Sequence, residues 1–194
     1  ILGVLRGKRL ARLNISPIQY NPVLNSIKVY EKIEFEIEFI NPNIAKTKQL
    51  NYLNQTPYFS NINTLFFNSK KLKSSDTIPN SPIKFVILSD SIFKEQLQPF
   101  IDWKTKKGFK VIEAYTDQPE VGNTTESIKS YLQSIYDSGT PDDPPPTFLL
   151  IVGDIGLIPS FEGTTGNSNH ITDLYYCEYT GDYLPELFYG RFSA

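Results

Sequence analysis

Three carboxylates stand where the chain must change direction, and they are the side chains best suited to chemistry. Asp154 closes the run Thr147-Phe148-Leu149-Leu150-Ile151-Val152-Gly153-Asp154, while Asp182 and Glu186 share Gly181-Asp182-Tyr183-Leu184-Pro185-Glu186. Gly181 and Pro185 bend that second segment, so two carboxylates and the carbonyls between them can face one centre. Hard cations such as calcium take six to eight oxygens of this kind. A second reading needs no ion, because turn carboxylates routinely accept amide hydrogens from their own loop. The sequence has no His/Cys cluster of the kind zinc needs.

The single cysteine and single histidine are weaker candidates. Cys177 lies among Tyr175, Tyr176 and Glu178 with no base near it in sequence, which reads as a small buried hydrophobe in a strand rather than a nucleophile. His170 belongs to the polar loop around 163–169 and reads as exposed. The Gly153-Asp154-Ile155-Gly156 stretch lacks the Lys-Ser/Thr of a P-loop and the third glycine of a dinucleotide fingerprint, so it is weak evidence for phosphate binding.

The elements that must position these residues show in the hydrophobic pattern. The apolar run before Gly153 is too short for a helix and does not alternate, as in a strand buried on both faces of a parallel sheet. In open α/β sheets ligands bind at the C-terminal ends of the strands, which is where Asp154 arrives. Lys84-Phe85-Val86-Ile87-Leu88-Ser89 and Phe109-Lys110-Val111-Ile112-Glu113-Ala114-Tyr115 read as further strands, and residues 187–192 as a last one. Between the first two, Phe93, Leu97, Phe100 and Ile101 recur at helical spacing, with Asp90 or Ser91 as cap and Gly108 as stop. Ile128, Tyr131, Leu132, Ile135 and Tyr136 stripe a second helix, capped at Asn123 with Glu126 three residues on. This alternation predicts an α/β domain with a parallel sheet and helices on both faces.

Upstream the period changes to two. Residues 27–39 alternate apolar and charged side chains from Glu31 onward, and with Leu13 and Ile15 they predict an antiparallel hairpin turning near 20–25. Residues 41–80 are rich in Asn, Ser, Thr, Pro and Lys and read as a linker with apolar islands, ending in the turn formers of 76–82. The expected organisation is a β-rich part over 1–45, a linker over 46–81 and an α/β domain from 82 to 194.

The bulk numbers narrow the function classes. A net charge of -2 over 194 residues argues against a nucleic-acid partner, which calls for a basic stripe. No apolar run reaches the roughly 20 residues of a membrane span. The opening and closing residues, with no initial Met, give the expectation of an excerpt from something longer.

Read together, several segments resemble the gingipains, the caspase-like cysteine peptidases of family C25. Phe100-Ile101-Asp102-Trp103-Lys104 with Gly108 is similar to a helix end of that family, and Leu149 through Asp154 with Ile158-Pro159 to its strand and loop. Thr172-Asp173-Leu174-Tyr175-Tyr176, Gly181-Asp182-Tyr183 and Tyr189-Gly190-Arg191-Phe192-Ser193 follow in the family's order. Residues 15–22 with 27–30 resemble the end of its β-rich prodomain. The resemblance implies a caspase-like or flavodoxin-like sheet and a cysteine endopeptidase acting on protein or peptide substrates.

It further implies a structural calcium held by Asp154, Asp182 and Glu186, with backbone oxygens from Tyr179 or Thr180 and from Leu184. The family's dyad, a His in Gly-His-Gly and a later Cys, has no counterpart here, so the remainder of the peptidase domain is expected beyond Ala194. Family members are exported by Bacteroidetes, which implies a secreted or cell-surface protein. One branch works with type IX secretion components as a signal peptidase with sortase-like transfer. The alternative from another class is a non-catalytic binding or assembly module, a β domain fused to a flavodoxin-like one.

Overall fold

The computed structural model describes residues 2–54, 56–60, 66, 82–165 and 168–194. The chain opens with two small antiparallel hairpins. Strands β1 (Gly3–Leu5) and β2 (Lys8–Leu10) are joined by Arg6-Gly7, both at positive φ, as a two-residue hairpin turn requires. Strands β3 (Ile18–Asn21) and β4 (Ser26–Val29) form the second, and Asn25 takes the positive φ there. The expected antiparallel hairpin is present but shorter than predicted. Residues 31–39 alternate in sequence yet form no strand, because they pair with no neighbouring strand among the described residues.

Two helices follow where the composition reads as linker. Helix α1 (Ile44–Leu53) starts at Asn43, whose side chain accepts from the Lys46 amide, and α2 (Pro57–Ser60) is a single turn. Helix α1 buries no residue fully, so the periodicity that marks a helix in sequence is missing. The expected break at 76–82 and the apolar island at 65–67 lie outside the described residues, apart from Phe66 and Pro82.

Between residues 83 and 152 the predicted strands and helices are found, whereas an antiparallel hairpin over 161–172 replaces an expected polar loop. Strand β5 (Ile83–Ser89) leads through a short 3-10 turn into α3 (Lys94–Lys106), with the Asp90 carboxylate accepting from the Ile92 amide. Gly108, at φ +89, ends that helix and β6 (Phe109–Tyr115) follows. Helix α4 (Thr125–Asp137) is capped by Thr124 and Ser127 in a reciprocal pair, not by Asn123 and Glu126. The Ser127 hydroxyl takes the place of the usual Glu or Gln, so the cap lies one residue downstream of the expected one.

Strand β7 (Phe148–Val152) comes next, then the antiparallel pair β8 (Phe161–Thr165) and β9 (Ser168–Thr172), and finally β10 (Phe188–Phe192). The sheet runs β10-β7-β5-β6 with every neighbour parallel. Its strands explain their own lack of alternation. Val86, Leu88, Leu149 and Ile151 face one side and pack with Ile128 and Leu132 of α4. Phe85, Ile87 and Val152 face the other and pack with Ile101 of α3. One helix covers each face, so both faces of the central strands are apolar.

Candidate functional site

The three carboxylates are distributed over both edges of the sheet. Asp154 follows β7 and therefore sits at the C-terminal edge, exposed, with its Oδ1 accepting from the Ile155 amide. Glu186 precedes β10, and β10 runs parallel to β7 with Phe188 beside Phe148, so Glu186 lies at the N-terminal edge. The strands between them span roughly 15 Å or more at about 3.3 Å per residue. Asp182 is with Glu186, not with Asp154. The expected meeting of all three at one sheet edge is thus corrected by the strand direction. Among the described residues no three His, Cys, Asp or Glu side chains are grouped to hold a metal ion.

At the N-terminal edge, residues 178–186 wind around their own acids. Glu178 is buried, and its Oε1 accepts from the amides of Thr180, Gly181 and Asp182. Asp182 accepts from Leu184 through Oδ1 and from the Val4 amide of β1 through Oδ2. Burial works against its charge, but these amides hold its carboxyl below the usual range. Glu186 is only 2% exposed and accepts from the Tyr179 amide at 3.0 Å. Burial, reinforced by the negative charges of Asp182 and Glu178, pushes its carboxyl up to about 7. The Thr180 hydroxyl is 3.4 Å from Glu186 Oε1, and Leu184 is present through its amide. Glu178 escaped the sequence analysis because nothing in its neighbourhood marks a three-amide cap.

The C-terminal edge is organised by Arg191 of β10. Its guanidinium donates to the carbonyls of Gly153 and Ile158, to the Ser160 hydroxyl and to both carboxylate oxygens of Asp173. Asp173 also accepts from Ser160 at 2.8 Å. The buried Tyr176 hydroxyl donates to the Pro159 carbonyl. One arginine therefore ties the loop after β7 to the loop after β9. Burial opposes ionisation of Asp173, yet the bonds from Arg191 and Ser160 keep its carboxyl below the usual range. Residues 153–160, 172–176 and 191 were noted in the sequence as separate motifs, and the structure brings them together.

Neither thiol nor imidazole joins these groups. Cys177 follows the 3-10 turn Leu174–Tyr176 rather than lying in a strand, and it is fully buried in the core beside Leu187 and Ile158. Burial pushes its thiol far up, so no thiolate is at hand. His170 lies in β9, exposed, with its ring over Gly163 of β8.

The model of peptidase family C25 matches residues 78–194, and that of the C25 propeptide matches residues 2–68. Lys-gingipain of Porphyromonas gingivalis is 37% identical over 194 residues, which is 100% of this chain and 11% of the relative. Gingipain R2 of Porphyromonas gingivalis is 24% identical over 193 residues, 98% of this chain and 25% of the relative. A solved structure, "Structure of Protease", superposes with a TM-score of 0.54 at 39% identity, covering 58% of this chain and 25% of that one. The chain thus spans about a tenth to a quarter of the curated relatives it matches.

The Asp173–Arg191 pair gives the edge a testable pH dependence. A carboxyl held below its unfolded value near 3.9 contributes stability above that pH and loses it as pH falls through the lower folded value. The Asp173→Asn variant should be less stable by about 3 kcal/mol near neutral pH, and its stability should decline less between pH 4 and 2 than that of the parent. Denaturant unfolding across that range measures both.

Proposed function

The chain belongs to peptidase family C25, and on that premise we propose that it is the propeptide end and first part of the peptidase unit of a gingipain-like cysteine endopeptidase. The single observation that carries this reading is the order of the two family matches, propeptide then peptidase, laid over a parallel sheet. The division between them falls, in this reading, at the start of β5. Protein or peptide is the substrate, and the cleft forms at the C-terminal edge, where open α/β sheets bind ligands.

Such a peptidase needs a thiolate beside a base. Cys177 is buried in the core and His170 exposed on a hairpin, so in this reading both dyad members come from sequence following Ala194. The chain's own contribution is to hold the edge: Arg191 and Asp173 fix the two loops that border it. We place the protein outside the cell or on its surface, with type IX secretion components as partners. Support for this is the resemblance to an exported family. Sortase-like transfer uses the same thioester chemistry, an amine replacing water in the second step.

For calcium, the donors that share one loop are the Asp182 and Glu186 carboxylates with the backbone oxygens of Thr180 and Leu184. They are all oxygens, which suits a hard cation. Support comes from two carboxylates, Asp182 and Glu186, because Glu178 is already satisfied by three amides. A bound calcium ion would supply counter-charge and pin the loop, with no part in bond breaking.

Two measurements check these readings. An activity-based thiol probe should label the full-length protein and leave chain 1–194 unlabelled; an unlabelled full-length protein would favour the non-catalytic module. Calcium at a hundredfold excess over its dissociation constant should raise stability by about 2.7 kcal/mol. In thermal melts Asp182→Asn should remove that increment, and a parent chain indifferent to both calcium and chelator contradicts the proposal.

A further inference from the structure

The N-terminal hairpin, Asn54, Tyr58 and Phe59 press against the N-terminal edge of the sheet, and the contact centres on Arg6. Its side chain is 3% exposed. Nη1 donates to the carbonyls of Pro146 at 2.9 Å and Glu186 at 2.8 Å. The guanidinium lies 4.8 Å from the ring centre of Phe59 and 5.7 Å from that of Tyr136. Pro146 stands before β7 and Glu186 before β10, so one side chain bridges the starts of two neighbouring strands.

A ring of contacts surrounds the anchor. The Val4 amide donates to Asp182, and the Tyr136 hydroxyl donates to Asn54. Phe59 stacks on Phe188 at 4.2 Å, and Tyr58 meets Phe148 edge-on at 4.8 Å. Apart from Arg6 on Phe59, which both fall within the propeptide match, each of these contacts joins a residue of that match, 2–68, to one of the peptidase match, 78–194.

We propose that the β1–β2 hairpin is a docking element that holds the propeptide on the N-terminal edge of the peptidase sheet without a covalent link, with Arg6 as its anchor. The inference rests on reading the chain as propeptide plus peptidase. Buried arginines and tyrosines packed in aromatic surroundings are the residue types that dominate separable interfaces. The rigid two-residue turn presents Arg6 with little freedom left to lose on docking. A lysine ammonium could donate to two carbonyls as Nη1 does, but it lacks the flat guanidinium face that packs against the Phe59 and Tyr136 rings. The Arg6 Nε has no hydrogen-bond partner among the described residues. That unmet donor subtracts from what the two carbonyl bonds contribute. Docking here leaves the opposite edge, with Asp154 and the loops held by Arg191, uncovered by the hairpin.

The test replaces residues 69–77, between the two matched stretches, with a flexible segment carrying a site for an added protease. The cut chain is then diluted and analysed by size exclusion. The two pieces should elute together, and Arg6→Ala should weaken their association by roughly thirtyfold or more, with Arg6→Lys between the two. Pieces that separate on cutting the parent, or an Arg6→Ala chain that holds together as tightly, overturn the proposal. If Arg6→Ala does not fold, Phe59→Ala interrogates the same contact with both carbonyl bonds intact; unchanged association would again overturn it. Because the cut is made by an added enzyme, the outcome is independent of whether the protein is itself a peptidase.

Discussion

Strand β7 has no wet face, and most of the structure follows from that constraint. Leu149 and Ile151 on one side and Val152 on the other are buried under different helices. Water can reach such a strand only at its ends, where backbone carbonyls leave the ladder and still need partners. An arginine serves each end. Arg6 takes the Pro146 carbonyl before the strand, and Arg191 takes those of Gly153 and Ile158 after it. Both also join β10 to its neighbour, Arg6 through the Glu186 carbonyl and Arg191 by belonging to β10 itself.

The two edges consequently carry different work. At the C-terminal edge, Arg191 and Asp173 lock the loops after β7 and β9 into one frame, next to which an α/β fold places its ligand. At the N-terminal edge, an acidic loop and an aromatic layer of Phe109, Phe148 and Phe188 receive the hairpin and Tyr58 and Phe59. In the proposed reading, chemistry and docking are separated by the length of the strands. A carboxylate such as Glu186, pushed up to about 7 by burial and by neighbouring acids, belongs to the docking edge.

The sheet was legible because burial on both faces leaves an unmistakable apolar run at β5 and β7, and helical spacing marks α3 and α4. Arg191, Asp173 and Gly153 were visible as motifs, but eighteen to thirty-eight residues separate them and only the folded chain shows one guanidinium joining them. The placement of Asp154 away from Asp182 and Glu186 was derivable: a residue preceding a parallel strand lies at the edge opposite one that follows its neighbour. Arg6 was not, since its partners are carbonyls, which leave no trace in side-chain pattern. Residues 31–39 have the alternation of a strand, yet alternation specifies a face and not a partner.

Amide hydrogen exchange on the intact chain tests most directly whether β7, held at both ends, is the centre of the fold. The amides of β5 and β7 should exchange slowest, through global unfolding alone. The Val4 amide, given to Asp182, should be protected well beyond those of the exposed β3–β4 hairpin. A β7 that exchanges as fast as that hairpin would contradict the account.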